Sequence, residues 1–171
     1  MDRTRADILG DVFQGAITYG EAGQFLTPEP VCDLMARMTL EPAGTTGTDR
    51  KTILDPCCGS GRMLLAAANV RPNCEFVGQD IDLRCVRMTA INLALRNLYG
   101  QVIWGNSLAG EYRLGYRTGF NLRGFVRELT VDESATTTRA IDQTAGDLRT
   151  TTATSPALSP GAQPGNQLYL F

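Results

Sequence analysis

Asp55-Pro56-Cys57-Cys58-Gly59-Ser60-Gly61 is the stretch that decides the fold of this 171-residue chain. Lys51-Thr52-Ile53-Leu54 precedes it and reads as a short buried strand; Arg62-Met63-Leu64-Leu65-Ala66-Ala67-Ala68 follows it and reads as a helix. A strand, a tight glycine turn and a helix opening are the parts of a nucleotide-type cofactor site. Glycine permits turn conformations and a close backbone approach that a side chain would block. The spacing is not Gly-x-Gly-x-x-Gly, because Arg62 and Met63 follow directly and position 64 is Leu. That points away from NAD.

The loop opens on a carboxylate, which suits a cationic group better than a pyrophosphate. The methionine ammonium of S-adenosylmethionine is such a group. The competing reading is a Gly-Ser-Gly turn that is mere architecture. Glu75-Phe76-Val77-Gly78-Gln79-Asp80 reads as a second strand ending in an acid, 25 positions beyond Asp55. An acid there can accept hydrogen bonds from both ribose hydroxyls of an adenosine ligand. Asp82 is the competing carboxylate and stands where a helix N-cap would stand. Gln101-Val102-Ile103-Trp104 reads as a third strand, with Gly105-Asn106-Ser107-Leu108 as its exit loop. The Asn106 amide offers donor and acceptor to an adenine edge. An Asn–Ser turn without functional weight is the other reading.

Together these segments resemble the N6-adenine DNA methyltransferases, above all the modification subunits of type I restriction systems. Gly23-Gln24-Phe25-Leu26-Thr27-Pro28 resembles the family's Gly-Gln-Phe-Phe-Thr-Pro, and Asp55 to Gly61 resembles its Asp-Pro-Ala-Cys-Gly-Ser-Gly loop. Gly78-Gln79-Asp80-Ile81-Asp82 with Ala90-Ile91-Asn92-Leu93 is similar to the ribose segment and its following helix. Gly105-Asn106-Ser107-Leu108 is similar to the loop beside the adenine. The resemblance covers roughly residues 5 to 110. It implies a partial Rossmann-like methyltransferase fold of the α/β class, with a mostly parallel sheet, N-terminal helices and a flexible C-terminal tail. It also implies S-adenosylmethionine as cofactor. Phe25 and Thr27 would close the methionine end; Asp55, Cys57, Gly59 and Gly61 would form the floor. Asp80 would hold the ribose, Ile81 would pack on the adenine, and Asn106 would meet its edge.

The family also carries an Asn-Pro-Pro-Phe or Asp-Pro-Pro-Tyr tetrapeptide that holds the target amino group and stacks on a flipped base. No Pro-Pro pair occurs in this chain. Where the tetrapeptide is expected, the chain reads Tyr112-Arg113-Leu114-Gly115-Tyr116-Arg117-Thr118-Gly119-Phe120-Asn121-Leu122. The resemblance therefore assigns no catalytic residue. The isolated chain is expected not to methylate DNA, and a partner subunit to supply the missing half and the DNA contact.

Lys plus Arg number 16 and Asp plus Glu 18, for a net charge of -2, which gives no general pull toward nucleic acid. Arg113, Arg117, Arg123 and Arg127 cluster beside only Glu111 and Glu128, either as a solvated face or as a phosphate-binding strip. With no histidine and no Cys-x-x-Cys, a metal site is not expected. Five cysteines, two of them adjacent, argue against a disulfide framework and for reduced thiols in a cytoplasmic protein. Cys57 and Cys58 read as packing residues of the loop. No run of 18 apolar residues is present.

Residues 1–40 read as a helical segment containing the Phe-Leu-Thr-Pro motif. Apolar spacing predicts a helix over 4–16, and a second one capped by Thr27, with Val31, Leu34, Met35 and Met38 as its buried stripe. Residues 41–131 read as the Rossmann-like core: strands at 53–55, 75–79 and 101–104, and helices at 61–69 and 83–97. The second of these helices turns Val86, Ala90, Leu93 and Leu95 to the sheet and ends near Tyr99-Gly100. Phe120, Leu122 and Val126 mark a fourth strand or a short helix. An open sheet edge would call for a homodimer or a larger partner.

Residues 132–166 read as a low-complexity tether. Gln167-Leu168-Tyr169-Leu170-Phe171 is similar to the Gln-Leu-x-Leu-Phe peptide by which bacterial polymerases and repair proteins dock on the sliding clamp. The competing reading is a strand folded back on the sheet edge. Two functions follow: a cofactor-binding methyltransferase subunit, or a catalytically inactive regulatory protein that keeps the cofactor fold.

Overall fold

The computed structural model describes residues 7–16, 25–40, 51–119, 124–130 and 133, and the backbone of 167–169. In chain order the elements are α1 (Ile8–Ala16), α2 (Glu29–Thr39), β1 (Thr52–Asp55), α3 (Arg62–Val70), β2 (Glu75–Asp80), α4 (Leu83–Leu95), β3 (Gly100–Trp104), β4 (Leu114–Gly119), β5 (Phe125–Glu128) and β6 (Gln167–Tyr169). A single 3-10 turn, Ser107–Ala109, follows β3.

The sheet runs β5-β4-β3-β2-β1-β6. β1, β2 and β3 are parallel, with Ile53 opposite Phe76 and Gly78 opposite Val102. This is the alternating α/β arrangement that the sequence predicts, and its strands begin and end within a residue or two of the expected limits. Strand alternation divides the apolar residues between two faces. Ile53, Phe76 and Val102 join Cys32, Ala36, Leu64, Val86 and Leu93 in the main core, under α2, α3 and α4. Leu54, Val77 and Ile103 form a smaller cluster with Tyr112. Both clusters are buried, so β2 and β3 read as continuous apolar runs. α3 is buried over all of 62–68, which explains a helix of Leu, Met and Ala with no polar face.

Several expectations are corrected. Pro28, not Thr27, is the N-cap of α2, and it offers no side-chain acceptor. The apolar stripe of α2 points outward: Val31, Leu34 and Met38 are exposed, while Cys32 and Ala36 face the core and Met35 is half-buried. Small residues are needed where α2 lies close on α3, and the large ones are displaced to the rim. On α4, Leu95 is exposed; Cys85, Thr89 and Asn92 are buried beside Val86, Ala90 and Leu93. The helix runs to Leu95 with Arg96 as its C-cap, short of the expected end near Tyr99-Gly100, and Asn97 follows at φ 52. Asp82 does cap α4, accepting from the Arg84 N–H at 2.8 Å.

The segment after β3 forms a hairpin. β4 is antiparallel to β3, and β5 is antiparallel to β4. A strand over 114–119 was not expected; Phe120 and Leu122, the expected markers, lie outside the described residues, as does all of the tether at 132–166 but Glu133. At the opposite edge, β6 pairs in parallel with β1, Ile53 opposite Leu168. That is the folded-back arrangement rather than a free tail.

The reversal of α2 is open to test. Ala36→Leu is expected to destabilise the chain by about 1–3 kcal/mol through overpacking. Leu34→Ala is expected to shift stability by no more than about 0.5 kcal/mol. Urea midpoints measure both; the opposite ranking would restore the Leu34 face to the core.

Candidate functional site

A cleft opens between the Phe25–Thr27 segment and the loop that leaves β1, with Asp55, Cys57 and Gly59 on its floor side. Phe25 is 83 % exposed and stands as an aromatic wall. The floor is shaped by two left-handed glycines, Gly59 at φ +54 and Gly61 at φ +88. A Cβ on Gly59 would lie 2.9 Å from Leu26 Cδ2, and one on Gly61 would lie 3.0 Å from Thr89 Cγ2. Both positions therefore require glycine on conformation and on space. The Thr89 hydroxyl donates to the Gly59 carbonyl at 2.9 Å and holds the turn to α4.

The acids sit in different surroundings. Asp55 is 2 % exposed, and its Oδ1 accepts from the Cys57 N–H at 3.1 Å. Burial pushes its carboxyl up to about 6; the Cys57 N–H opposes this and the charge of Asp80 adds to it. Asp80 ends β2 and bridges two loops, accepting from Gly59 N at 2.8 Å and from Asp82 N at 2.9 Å. Burial raises its pKa as well, against those N–H donors. Ile81 is exposed, and its carbonyl accepts from Trp104 Nε1 at 2.9 Å. Gly105 N donates to Asp80 O at 3.0 Å, tying the exit of β3 to the end of β2.

Asn106 uses its side-chain oxygen locally. Oδ1 accepts from Leu108 N at 3.0 Å and Ala109 N at 3.3 Å, capping the 3-10 turn. This is the turn arrangement foreseen as the alternative, and the amide nitrogen takes no part in the cap. Phe25, Thr27, Asp55, Cys57 and Gly59 thus meet in one cleft, and Asp80 reaches it through Gly59. Ile81 and Asn106 belong to the adjoining strand ends.

Cys57 is corrected from packing to an exposed thiol, whereas Cys58 is fully packed and burial drives its thiol well up. All five cysteines are free. Among the described residues no cluster of His, Cys, Asp or Glu could hold a metal ion. No helix among them is long and apolar enough to cross a membrane. The described arginines of the basic segment are paired: Arg113 with Glu111 at 3.0 Å, Arg117 with Glu75 at 3.3 Å and Arg127 with Glu133 at 2.6 Å. That favours the structural over the phosphate-binding reading of the segment.

A family model described as N-6 DNA Methylase matches residues 4–114. The chain belongs to the N-6 DNA methylase family. Over 113 residues it is 33% identical to the methylase subunit of the type I restriction enzyme MjaVIII from Methanocaldococcus jannaschii, covering 60% of this chain and 18% of that protein. It is 28% identical to the type I restriction-modification methyltransferase subunit of Streptococcus thermophilus, known as a crystal structure, with a TM-score of 0.38 and coverage of 51% of this chain and 19% of that one. The chain spans about a fifth of the length of these relatives. Within the N-6 methylase match lie all four sequence motifs, and also Asp7, Ser60, Arg62 and Asn92, polar residues that the motif reading left without a role.

Asp55 makes stability depend on pH in a defined direction. The unfolded carboxyl ionises near 4, and the folded one at about 6. Between those values the native chain holds a proton that the unfolded chain has lost, so this contribution falls as pH rises and stays low above that window. Asp55→Asn keeps an acceptor for Cys57 and removes the charge. At about pH 7.5 the variant, without ligand, is expected to be more stable than the parent by an amount on the order of 2–3 kcal/mol. The gain should vanish below about pH 4, and denaturation midpoints at both pH values decide it.

Proposed function

We propose that this N-6 methylase domain binds S-adenosylmethionine in the cleft above Asp55 and serves as the cofactor half of a DNA adenine-N6 methyltransferase. The observation that carries this reading is a buried carboxylate, raised to about 6, under a floor of left-handed glycines and beside an exposed aromatic ring. A buried anion with one weak backbone donor favours a cationic partner, and the methionine ammonium fits that requirement. A cradle that any Cβ would fill fits the close backbone approach of a flat ligand.

In this reading Phe25 and Thr27 close the methionine end over Asp55, Cys57, Gly59 and Gly61. Asp80 keeps acceptor capacity for ribose hydroxyls beyond its bonds from backbone N–H groups. Ile81 offers an exposed aliphatic face to the adenine, and the Asn106 amide nitrogen donates to its edge. When bound, the cofactor supplies an electrophilic methyl group for the adenine amino nitrogen. The residues of this chain bind and orient it. The acceptor for the amino N–H is assigned to a partner subunit, which would also carry the DNA contact. Free thiols throughout the chain suit a reducing cytoplasm.

A second reading, a catalytically silent regulator, is favoured by the hairpin. β4 occupies 114–119, within the stretch where the catalytic tetrapeptide is expected, and runs antiparallel to β3. Docking of Gln167–Phe171 on a bacterial sliding clamp belongs to this second reading and rests on the peptide's sequence. It requires release of β6 from β1.

Calorimetric titration with S-adenosylmethionine tests the first proposal. Asp80→Ala is expected to weaken binding roughly ten- to a hundred-fold. Asp82→Ala, which removes the cap of α4 and the ion pair with Arg84 at 2.7 Å, should lower stability and leave affinity nearly unchanged. No heat with the parent, or equal affinity in Asp80→Ala, would sink the cofactor reading. In a companion assay the pure chain is expected to transfer no tritiated methyl to unmethylated duplex DNA. Transfer that disappears in Asp55→Ala would show that the chain carries its own acceptor.

A further inference from the structure

Asp7 caps α1, its Oδ1 accepting from Gly10 N at 2.8 Å, yet its side chain is buried rather than in solvent. The same carboxylate accepts from Arg62 Nε at 2.8 Å, from Asn92 Nδ2 at 2.7 Å and from the Ser60 hydroxyl. Arg62 is the first residue of α3 and, with Ser60, belongs to the cleft. Its guanidinium also reaches Asp11 Oδ1 at 2.5 Å, and Gln14 Oε1 and the Thr27 carbonyl each at 3.4 Å. One buried cation therefore joins three residues at α1, the floor loop and the Phe25–Thr27 wall. Contact at Gly10 is close enough that a Cβ there would lie 2.7 Å from Ser60 Oγ.

Apolar burial holds α1 only weakly. Phe13 is buried beneath the Arg84 guanidinium at 5.3 Å, but Ile8 and Val12 are 64% and 63% exposed. Docking of α1 must then lean on the polar cluster. A buried ion pair is unforgiving, because removing one partner leaves the other charged and desolvated. Partial loosening, which would leave a buried charge unpaired, is therefore disfavoured relative to full release with Asp7 in water.

We propose that the Asp7–Arg62 pair couples docking of α1 to occupancy of the cleft, so that Arg62 is a positioning residue for the ligand site. This rests on the proposal that the cleft binds S-adenosylmethionine. Release of α1 frees Arg62 to leave the floor and breaks its tie to the Thr27 carbonyl, so wall and floor lose their fixed spacing. A ligand that needs both binds the docked state more tightly. By linkage it must then stabilise α1 on the domain.

The test is amide exchange of the full chain with and without S-adenosylmethionine, for the parent, Arg62→Met and Arg62→Lys. In the parent, ligand is expected to slow exchange over 8–16 by about tenfold or more, together with the loop at 57–61. In ligand-free Arg62→Met, α1 should exchange as a random coil while β2 and β3 keep their protection. Arg62→Lys should restore part of it, which a loss of bulk alone would not predict. If Arg62→Met does not fold, Asp11→Ala with Gln14→Ala trims the outer arms of the cluster, one exposed and one half-buried, and should speed exchange in α1 alone. Protection of α1 surviving these substitutions overturns the proposal. So does an unchanged α1 when calorimetry shows the parent saturated with ligand. A parent that gives no heat overturns the cofactor reading and the coupling with it, and the ligand-free comparison still decides whether the pair docks α1.

Discussion

The turn at Gly59–Gly61 is the constraint on which the site depends. Its left-handed backbone lies between Leu26 on one side and Thr89 on the other, with no room for a side chain at either glycine. That reversal lets the Gly59 N–H point at Asp80 while Arg62 starts α3 with its side chain directed at α1. The neighbouring strand accommodates it as well. A Cβ on Gly78 would lie 3.0 Å from the Cys58 sulfur, so β2 can pass the loop only because that position is bare. Strand order, loop path and helix start are thus one geometric solution rather than three.

The three acids around this turn show how burial and donors divide their roles. Asp7 receives four hydrogen bonds, one of them from a guanidinium, and is an integral part of the packing. Asp80 receives backbone donors on both oxygens and is only partly buried, which suits an acid that joins two loops while facing the surface. Asp55 is as buried as Asp7, but its carboxylate accepts from the Cys57 N–H rather than from a cation. Burying a charge without a counter-charge raises the pKa and destabilises the ionised fold. An incoming cation removes that penalty, so the least satisfied of the three is the best placed to select a positively charged ligand.

The strand–loop–helix core was legible because its signals are local. Apolar runs at 53–54, 76–77 and 102–103, two glycines and a capping Asp82 each act within a few residues. Side-chain direction was harder. On α2 the spacing of Val31, Leu34 and Met38 suggested a buried stripe, yet close packing on α3 selected Cys32 and Ala36 instead. The Asp7–Arg62 pair spans 55 positions, so no periodicity could reveal it. Its one sequence clue was an arginine opening a helix whose next six residues are all apolar. β4 was missed because Gly115, Arg117 and Gly119 break the apolar alternation, although Thr118 and the two glycines are buried in place.

The two sheet edges are closed by different means, and the difference bears on what can be added to the domain. At one edge β4 and β5 form an antiparallel ribbon linked by five residues, a pairing local in sequence. At the other, β6 contributes three residue pairs to β1 and begins 39 positions beyond the end of β5. A short parallel ladder gains little from each pair, and closing a long connection opposes it. The edge at β1 is therefore the weaker of the two. Its last pair, Leu54 with Tyr169, lies directly before Asp55. Any chain that replaced β6 there would run alongside the strand that delivers the buried acid to the cleft, whereas a chain added beyond β5 would be separated from it by four strands.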